Sequence, residues 1–283
     1  MSVPDNSDAR DDGLYLLSAG SWAEEKHDLF SRYAAEFSTA MKNKWECRVF
    51  IDLYSGPGLL KIHDRDRFIW GSAIHATRVK DPFDKYIFCD QNADALSALQ
   101  TRITKNFPSL NASYIFGSCD EKIEEICSKI PKPSTNFRVL SFCFVDPFDL
   151  SFKFATIKRI SRYIVDFLIL LAVDMDANRA LMPYLNPANR KLDEMLGLDD
   201  WRDRWRQTDM KNFPRFLADL FATQMTTLGY LRTDLDRMKK VRAEDNNRPL
   251  YRLALFSQHE RAMKLWDEVL RWSDDQLKLK LED

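Results

Sequence analysis

The sequence predicts an α/β fold, a doubly wound parallel sheet with helices on both faces, and three observations predict it. Apolar runs of strand length alternate with helical patterns through five strands between residues 49 and 173, a rhythm that requires crossover helices and buries both faces of the sheet. The first of these runs, in "RVFIDLYSGPGLL", passes straight into a turn of Ser55, Gly56, Pro57 and Gly58. Acids stand at the end of that run and of three later ones, at Asp52, Asp90, Asp120 and Asp146.

The elements follow in order. The acidic, polar start, Met1 to Asp12, predicts disordered or irregular chain within residues 1–20. After Ser21, a predicted N-cap, Trp22, Leu29, Phe30, Tyr33, Phe37 and Met41 recur at helical steps and define an amphipathic helix. Strand Val49 to Leu53 follows, then "KIHDRDRFIW", expected as a mobile substrate loop or a surface crossover that delays the next helix to about Gly71. Strands are expected at Tyr86 to Cys89, Ser113 to Phe116, Val139 to Val145 and Phe167 to Val173, with helices at Ala93 to Asn106, Glu121 to Lys129 and Phe154 to Arg162 between them. These complete a core over residues 21–174. Residues 175–229 carry helical patterns alone and read as an insertion after the fifth strand, a substrate-selecting lid or a partner interface. Residues 230–283 supply the last strands, Tyr230 to Met238 and Leu250 to Ser257, paired through "EDNNRP", and a closing helix through Trp266 and Leu270.

Composition narrows the class of protein. With 283 residues, 30% of them charged, and a net charge of −1, the chain can build a full core and has no bulk positive field to attract nucleic acid, so any such binding needs a local patch. The five cysteines form no CxxC pair and read as small hydrophobes of a reducing cytoplasm. The four histidines have no metal-ligand spacing, so no metal site is expected. No apolar run approaches the roughly 20 residues that span a bilayer, and the start has acids where a leader has basic residues. The expectation is a cytoplasmic protein.

In a parallel sheet of this kind the ligand sits outside the carboxyl ends of the strands, where strand order reverses. A single acid there is commonly a helix cap, but four at successive strand ends point to a ligand. A dinucleotide requires GxGxxG opening directly into a helix. Lys61 and the delayed helix depart from that pattern. S-adenosylmethionine needs backbone close to its methionine end, an acid on the ribose diol and a polar group at the adenine edge. Asp52, Asp90 and Asp120 match those needs in chain order, with Ser55, Gly56 and Gly58 forming the turn.

"DLYSGPG" with "GSAIHA", the early "SWAEEKHDLFSRY", "FVDPF" and "DFLILLAV" resemble the three-Cys-motif partner family, over Trp22 to about Val173, with a further likeness in "YRLALFSQHERAMKLW". The resemblance implies a Rossmann-like sheet of the class I methyltransferase type, S-adenosylmethionine as cofactor, and a companion protein with a three-cysteine, radical-SAM-type motif. Tyr54 replaces the glycine that commonly opens the first methyltransferase motif. "DPF", Asp146 to Phe148, resembles the DPP(Y/F) motif of enzymes that methylate exocyclic amino groups, with one proline missing. It implies that Asp146 orients an acceptor and Phe148 packs on a planar substrate.

Two other features carry charge near aromatic rings. Lys26, one turn after Trp22, reaches the strand ends if the first helix crosses the mouth of the sheet; otherwise it is an exposed lysine. "WRDRWR", Trp201 to Arg206, reads as a solvated helix laced by ion pairs before it reads as a nucleic-acid grip. The leading function is methyl transfer from S-adenosylmethionine to nucleic acid or a nucleotide-like molecule. A partner protein that keeps the fold to dock on a companion enzyme is the rival, and an NAD-dependent oxidoreductase comes third.

Overall fold

The computed structural model describes residues 5–176, 181–243 and 248–282. Strand β1 (Leu17–Ala19) precedes helix α1 (Trp22–Met41), and β2 (Cys47–Asp52) carries the chain into the glycine turn. A hairpin, β3 (Leu59–Ile62) and β4 (Arg67–Trp70), then leads to the short helix α2 (Ser72–Thr77). The alternation continues through β5 (Lys85–Asp90), α3 (Ala93–Asn106), β6 (Ala112–Phe116), α4 (Ile123–Lys129), β7 (Val139–Val145), α5 (Phe154–Ile160) and β8 (Val165–Leu171). Helices α6 (Val173–Asp176), α7 (Leu181–Leu185), α8 (Lys191–Leu196), α9 (Trp201–Gln207) and α10 (Phe213–Thr227) form the helical insertion, and β9 (Lys239–Arg242), β10 (Pro249–Phe256) and α11 (Glu260–Glu282) close the fold.

Seven strands form the main sheet in the order β6-β5-β2-β7-β8-β10-β9. The first five are mutually parallel, and β10 runs antiparallel to both β8 and β9. From β2 the chain winds outward through β5 and β6, then returns to β7 on the other side of β2. The reversal opens a crevice at the carboxyl ends of β2 and β7. All seven residues of β7 and of β8 are buried, as strands covered on both faces must be.

Aromatic packing sets the position of α1. Phe30, Tyr33 and Phe37 share one helical face and meet Phe50 of β2 and Phe142 and Phe144 of β7, with ring centroids 4.5 Å apart for Phe30 and Phe144 and 5.3 Å for Tyr33 and Phe142. Tyr33 also meets Trp266 of α11 edge-on at 5.7 Å. With that face held on the sheet, Lys26, one turn before Phe30, lies over the strand ends.

Three sequence expectations need correction. Ser21 does not cap α1 through its side chain, because its own backbone is already right-handed helical, which turns the hydroxyl away from the first free N–H groups. The segment around Tyr230 to Met238 is irregular chain with a 3-10 turn at Leu235–Arg237, and the strand starts at Lys239; its apolar residues pack inward from loops. Of the connecting turn, Glu244 to Asn247 lie outside the described residues. The "KIHDRDRFIW" segment is the β3–β4 hairpin, joined by β1 in a second, three-stranded sheet. Ile62 and Ile69 of the hairpin bury against Ala23 of α1. Gly71 N donates to Gly58 O at 2.8 Å, so residues 59–70 are an excursion whose two ends meet. The delay before α2 is therefore a matter of chain length, and α2 begins beside the turn.

Helix α9 is mixed. Trp201 is fully buried and donates to Asp193 at 2.6 Å, and Arg202 is buried against Asp193 and three backbone carbonyls. Arg204 and Arg206 pair with Asp200 and Asp203 on the surface. Of the five arginines and tryptophans in "WRDRWR", Trp201 and Arg202 are buried and Trp205 packs against Phe213 and Phe216, so three of them serve the core of the insertion. All five cysteines are buried and free.

Candidate functional site

A cavity of about 410 Å³ lies at the carboxyl ends of β2, β5 and β7, lined by the turn residues Leu53 to Gly58, by Asp90 and Gln91, by Gly117 to Cys119 and by Asp146 to Asp149. Its size falls within the ~300–1,000 Å³ of small-molecule sites. Trp22, Ala23, Lys26 and His27 of α1, residues of β1 and Tyr251 of β10 close the other sides.

The turn is built on two left-handed glycines, Gly56 at φ +57° and Gly58 at φ +82°. Their reasons differ. A Cβ on Gly58 would stand 2.8 Å from Leu99 Cδ1 and 2.9 Å from Ile74 Cγ1, so packing beneath the turn excludes any side chain there. At Gly56 the nearest atom would be Leu17 Cδ1 at 3.6 Å, leaving room. Gly56 is fixed by its φ and by its N–H, which donates to Asp90 Oδ2 at 2.8 Å. Asn92 N donates to the other oxygen of Asp90, also at 2.8 Å, and the Asn92 side chain caps α3. Asp90 is thus clamped at the cavity edge with one lone pair on each oxygen still available.

The other acids differ from one another. Asp52 is fully buried and does not line the cavity; Ser72 Oγ donates to it at 2.6 Å and Tyr54 N at 3.2 Å. Burial pushes its carboxyl up to about 7, with the carboxylates of Asp146 and Asp90 adding to the rise. Asp120 also turns away from the cavity, toward the Thr156 hydroxyl of α5, while its neighbours Ser118 and Cys119 line it. Asp146 and Phe148 do line it, and Phe148 is 74% exposed at the mouth.

Lys26 Nζ lies 2.6 Å from Asp146 Oδ2, with both side chains 13% exposed. The ion pair joins α1 to the end of β7 across 120 residues. Next to it, His27 is buried with both ring nitrogens unpartnered among the described residues, and burial drives its pKa well below the ordinary value, which favours the neutral ring. It stacks on His75, ring centroids 6.1 Å apart, which burial lowers to about 4. Burial, with a push from Asp146, raises the Tyr251 hydroxyl to about 12.

Ser55 gives the test of whether a cofactor fits. Its side chain is 3% exposed, it lines the cavity, and its hydroxyl has no hydrogen-bond partner among the described residues. An orphaned buried hydroxyl is costly unless something bonds to it. Ser55 and Asp90 line one cavity, and a hydroxyl in need of a partner beside a carboxylate suits a ligand that carries both acceptors and hydroxyls, as S-adenosylmethionine does.

Tyr251, Leu170 and β1 belong to the site and carried no sequence signal; Tyr251 stands in an ordinary apolar strand, "LYRLALF". A larger cleft, about 1,040 Å³, lies along the other face of α1, lined by Glu24, Glu25 and Asp28 with Arg65, Arg67 and Lys239. Several of these charges pair with one another, and none of the predicted site residues reaches it.

No family model matches the sequence, and no curated protein matches it. Among solved structures the chain is similar to protein LPL1258 from Legionella pneumophila, at 12% identity and a TM-score of 0.42, covering 64% of this chain and 76% of that one. It is also similar to Trm1 from Pyrococcus horikoshii in complex with S-adenosyl-L-methionine, at 12% identity and a TM-score of 0.45, covering 95% of this chain and 64% of that one, just under two thirds of its length. A third is M. jannaschii TYW2 in complex with AdoMet, at 11% identity and a TM-score of 0.37, covering 85% of this chain and 78% of that one.

Proposed function

We propose that the chain is an S-adenosylmethionine-dependent methyltransferase acting on nucleic acid or a nucleotide-like molecule. The observation that carries this reading is the pairing of an orphaned Ser55 hydroxyl with a clamped, half-free Asp90 in one cavity at the strand-order reversal. Asp90 would take the ribose hydroxyls, Ser55 and the Gly56 to Gly58 backbone the methionine end, and Gly117 to Cys119 the adenine edge. Asp52 holds Ser72 and the turn in place from behind, and Asp120 braces α5 through Thr156.

When bound, S-adenosylmethionine supplies a methyl group on a sulfonium: an acceptor lone pair takes the methyl, the C–S electrons stay on sulfur, and the acceptor gives up a proton. This chain's contribution is position, which is worth much in a displacement that needs its atoms in line. Asp146 orients the acceptor through a hydrogen bond, and Phe148 packs against a planar substrate. The partner reading draws on the exposure of Phe148 at 74% and of Met182 at 75%, apolar surface on which a three-cysteine companion protein could dock.

Calorimetric titration with S-adenosylhomocysteine tests the proposal, with NAD titrated in parallel. Stoichiometric binding of S-adenosylhomocysteine, abolished by Gly56→Val, is expected, because a branched side chain at φ +57° breaks the turn. No binding, or preferential binding of NAD, would overturn the reading.

A further inference from the structure

We infer that residues 5–19 are a gate on the cofactor side of the cavity, latched by Asp8 on Arg78 and by Asp12 on Arg102, and that the cofactor exchanges when this gate opens. The sequence reads the first part of this segment as disordered, yet its acids face basic partners. The inference rests on the methyltransferase reading above and names what regulates ligand traffic at that same site.

Arg78 Nη1 and Nη2 donate to the two oxygens of Asp8 at 2.9 and 2.5 Å, and the Trp70 indole N–H donates to it at 2.9 Å. Arg102 Nε and Nη2 donate to the two oxygens of Asp12 at 2.8 and 2.6 Å. Both latches are thus two-pronged, the strong form of the arginine–carboxylate pair. Arg102, on α3, is 2% exposed, and its Nη1 donates to Tyr15 O at 2.9 Å and to Pro57 O at 2.6 Å. One buried guanidinium therefore ties the N-terminal chain to the glycine turn. Just beyond it, Leu17, Ser18 and Ala19 form a wall of the cavity, and β1 is joined there to β3 over three residues.

Two observations make this wall a gate. No residue from 5 to 19 is buried, and Gly20 is the first that is. Where α1 is fixed by rings packed on the sheet, this segment is held by polar contacts at the surface, the kind of attachment that opens locally while the core stays folded. The second observation is place. The proposed ribose and methionine positions, at Asp90 and Ser55, lie on the side of the glycine turn that the segment covers, whereas Phe148 marks the opposite mouth, where the acceptor enters. A spent cofactor leaves without crossing a bound acceptor if the segment lifts.

The test follows association and dissociation of tritiated S-adenosylhomocysteine by rapid filtration, with the melting temperature of the ligand-free protein measured alongside. A latch holds the gate shut with or without ligand, so weakening it should speed both rates and move the affinity little. Asp12→Asn should raise each about tenfold, the loss of one charge-assisted contact. Asp8→Arg and Arg78→Asp should each act in the same direction, and the two together, which reverse the pair, should restore most of the parent rates. Amide hydrogen exchange at residues 14–19 should slow when S-adenosylhomocysteine binds and quicken in Asp12→Asn. Parent rates in Asp12→Asn, faster dissociation with unchanged association, no rescue by the reversed pair, or a lowered melting temperature that accounts for the change would each overturn the gate, while leaving the cofactor reading standing. Failure of the parent to bind S-adenosylhomocysteine at all would remove that reading, and the gate with it.

Discussion

The two sides of the cavity are built in different ways. On the side of β2, β5 and β6, the acids are held by partners near in sequence: Asp90 by Gly56 N and Asn92 N, Asp52 by Tyr54 N and the Ser72 hydroxyl of α2, and Asp120 by the Thr156 hydroxyl of α5. On the side of β7 and β10, Asp146 is held by Lys26, 120 residues away, and the wall is completed by Tyr251. No partner on the first side lies more than 36 residues from the acid it holds. The second exists only once α1 has packed its aromatic face onto Phe50, Phe142 and Phe144. A perturbation of the first side should therefore act on cofactor binding, and one of the second on the acceptor.

The largest expected effect that sharpens this contrast is at Asp90. Asp90→Ala removes the proposed ribose acceptor and also the bond from Gly56 N, so S-adenosylhomocysteine binding should weaken by more than about tenfold, since ~1.4 kcal/mol is a factor of ten. Calorimetry checks this, with the melting temperature measured alongside. An unchanged affinity would reduce Asp90 to a loop brace. Phe148→Ala should do the opposite, leaving that affinity intact while raising KM for an accepted oligonucleotide about fivefold, the lower end of a base-stacking contribution of ~1–3 kcal/mol. If it weakens the cofactor instead, the division between the two sides is lost.

The smallest effect concerns an acid that serves neither side. Asp166 of β8 is buried and its carboxyl is pushed up to about 7 by burial, a hydrogen bond from Ser257 opposing the rise. The folded chain thus favours the protonated form. Its full stabilising contribution is present below the ordinary carboxyl value of 3.8 and declines as pH rises from there to about 7. Asp166→Asn, uncharged at every pH, should hold a melting temperature that the parent loses over this window. A difference of about 2–4 °C at pH 7.5 corresponds to ~1 kcal/mol for a chain of this size. Thermal melts of both proteins from pH 5 to 8 check it; parallel curves would mean that Asp166 titrates at its ordinary value.

Much of the parallel half was legible because its signals are local. Strand Val139 to Val145 and helix Ala93 to Asn106 have the bounds that periodicity assigns. The glycine turn and Asp90 sit together because strand, turn and strand end are close in both sequence and space. The hairpin was missed because its strands are four residues each and interrupted by charges, so neither shows a full period of alternation. Lys26 was visible as a residue but not as a site, since the sequence does not say which way α1 crosses the sheet.

By itself the sequence determined the alternation of strands and helices, the left-handed glycine turn and the acids at the strand ends, because each depends on the φ/ψ preferences and burial pattern of a few consecutive residues. Only the tertiary structure decided which acids face the cavity. Asp52 and Asp120 were drawn away by Ser72 and Thr156, Asp90 was clamped at the edge, and Asp146 was bound to Lys26. The direction of a side chain at a strand end depends on whatever partner packing brings within hydrogen-bond reach, and those partners come from elements as far as 120 residues away.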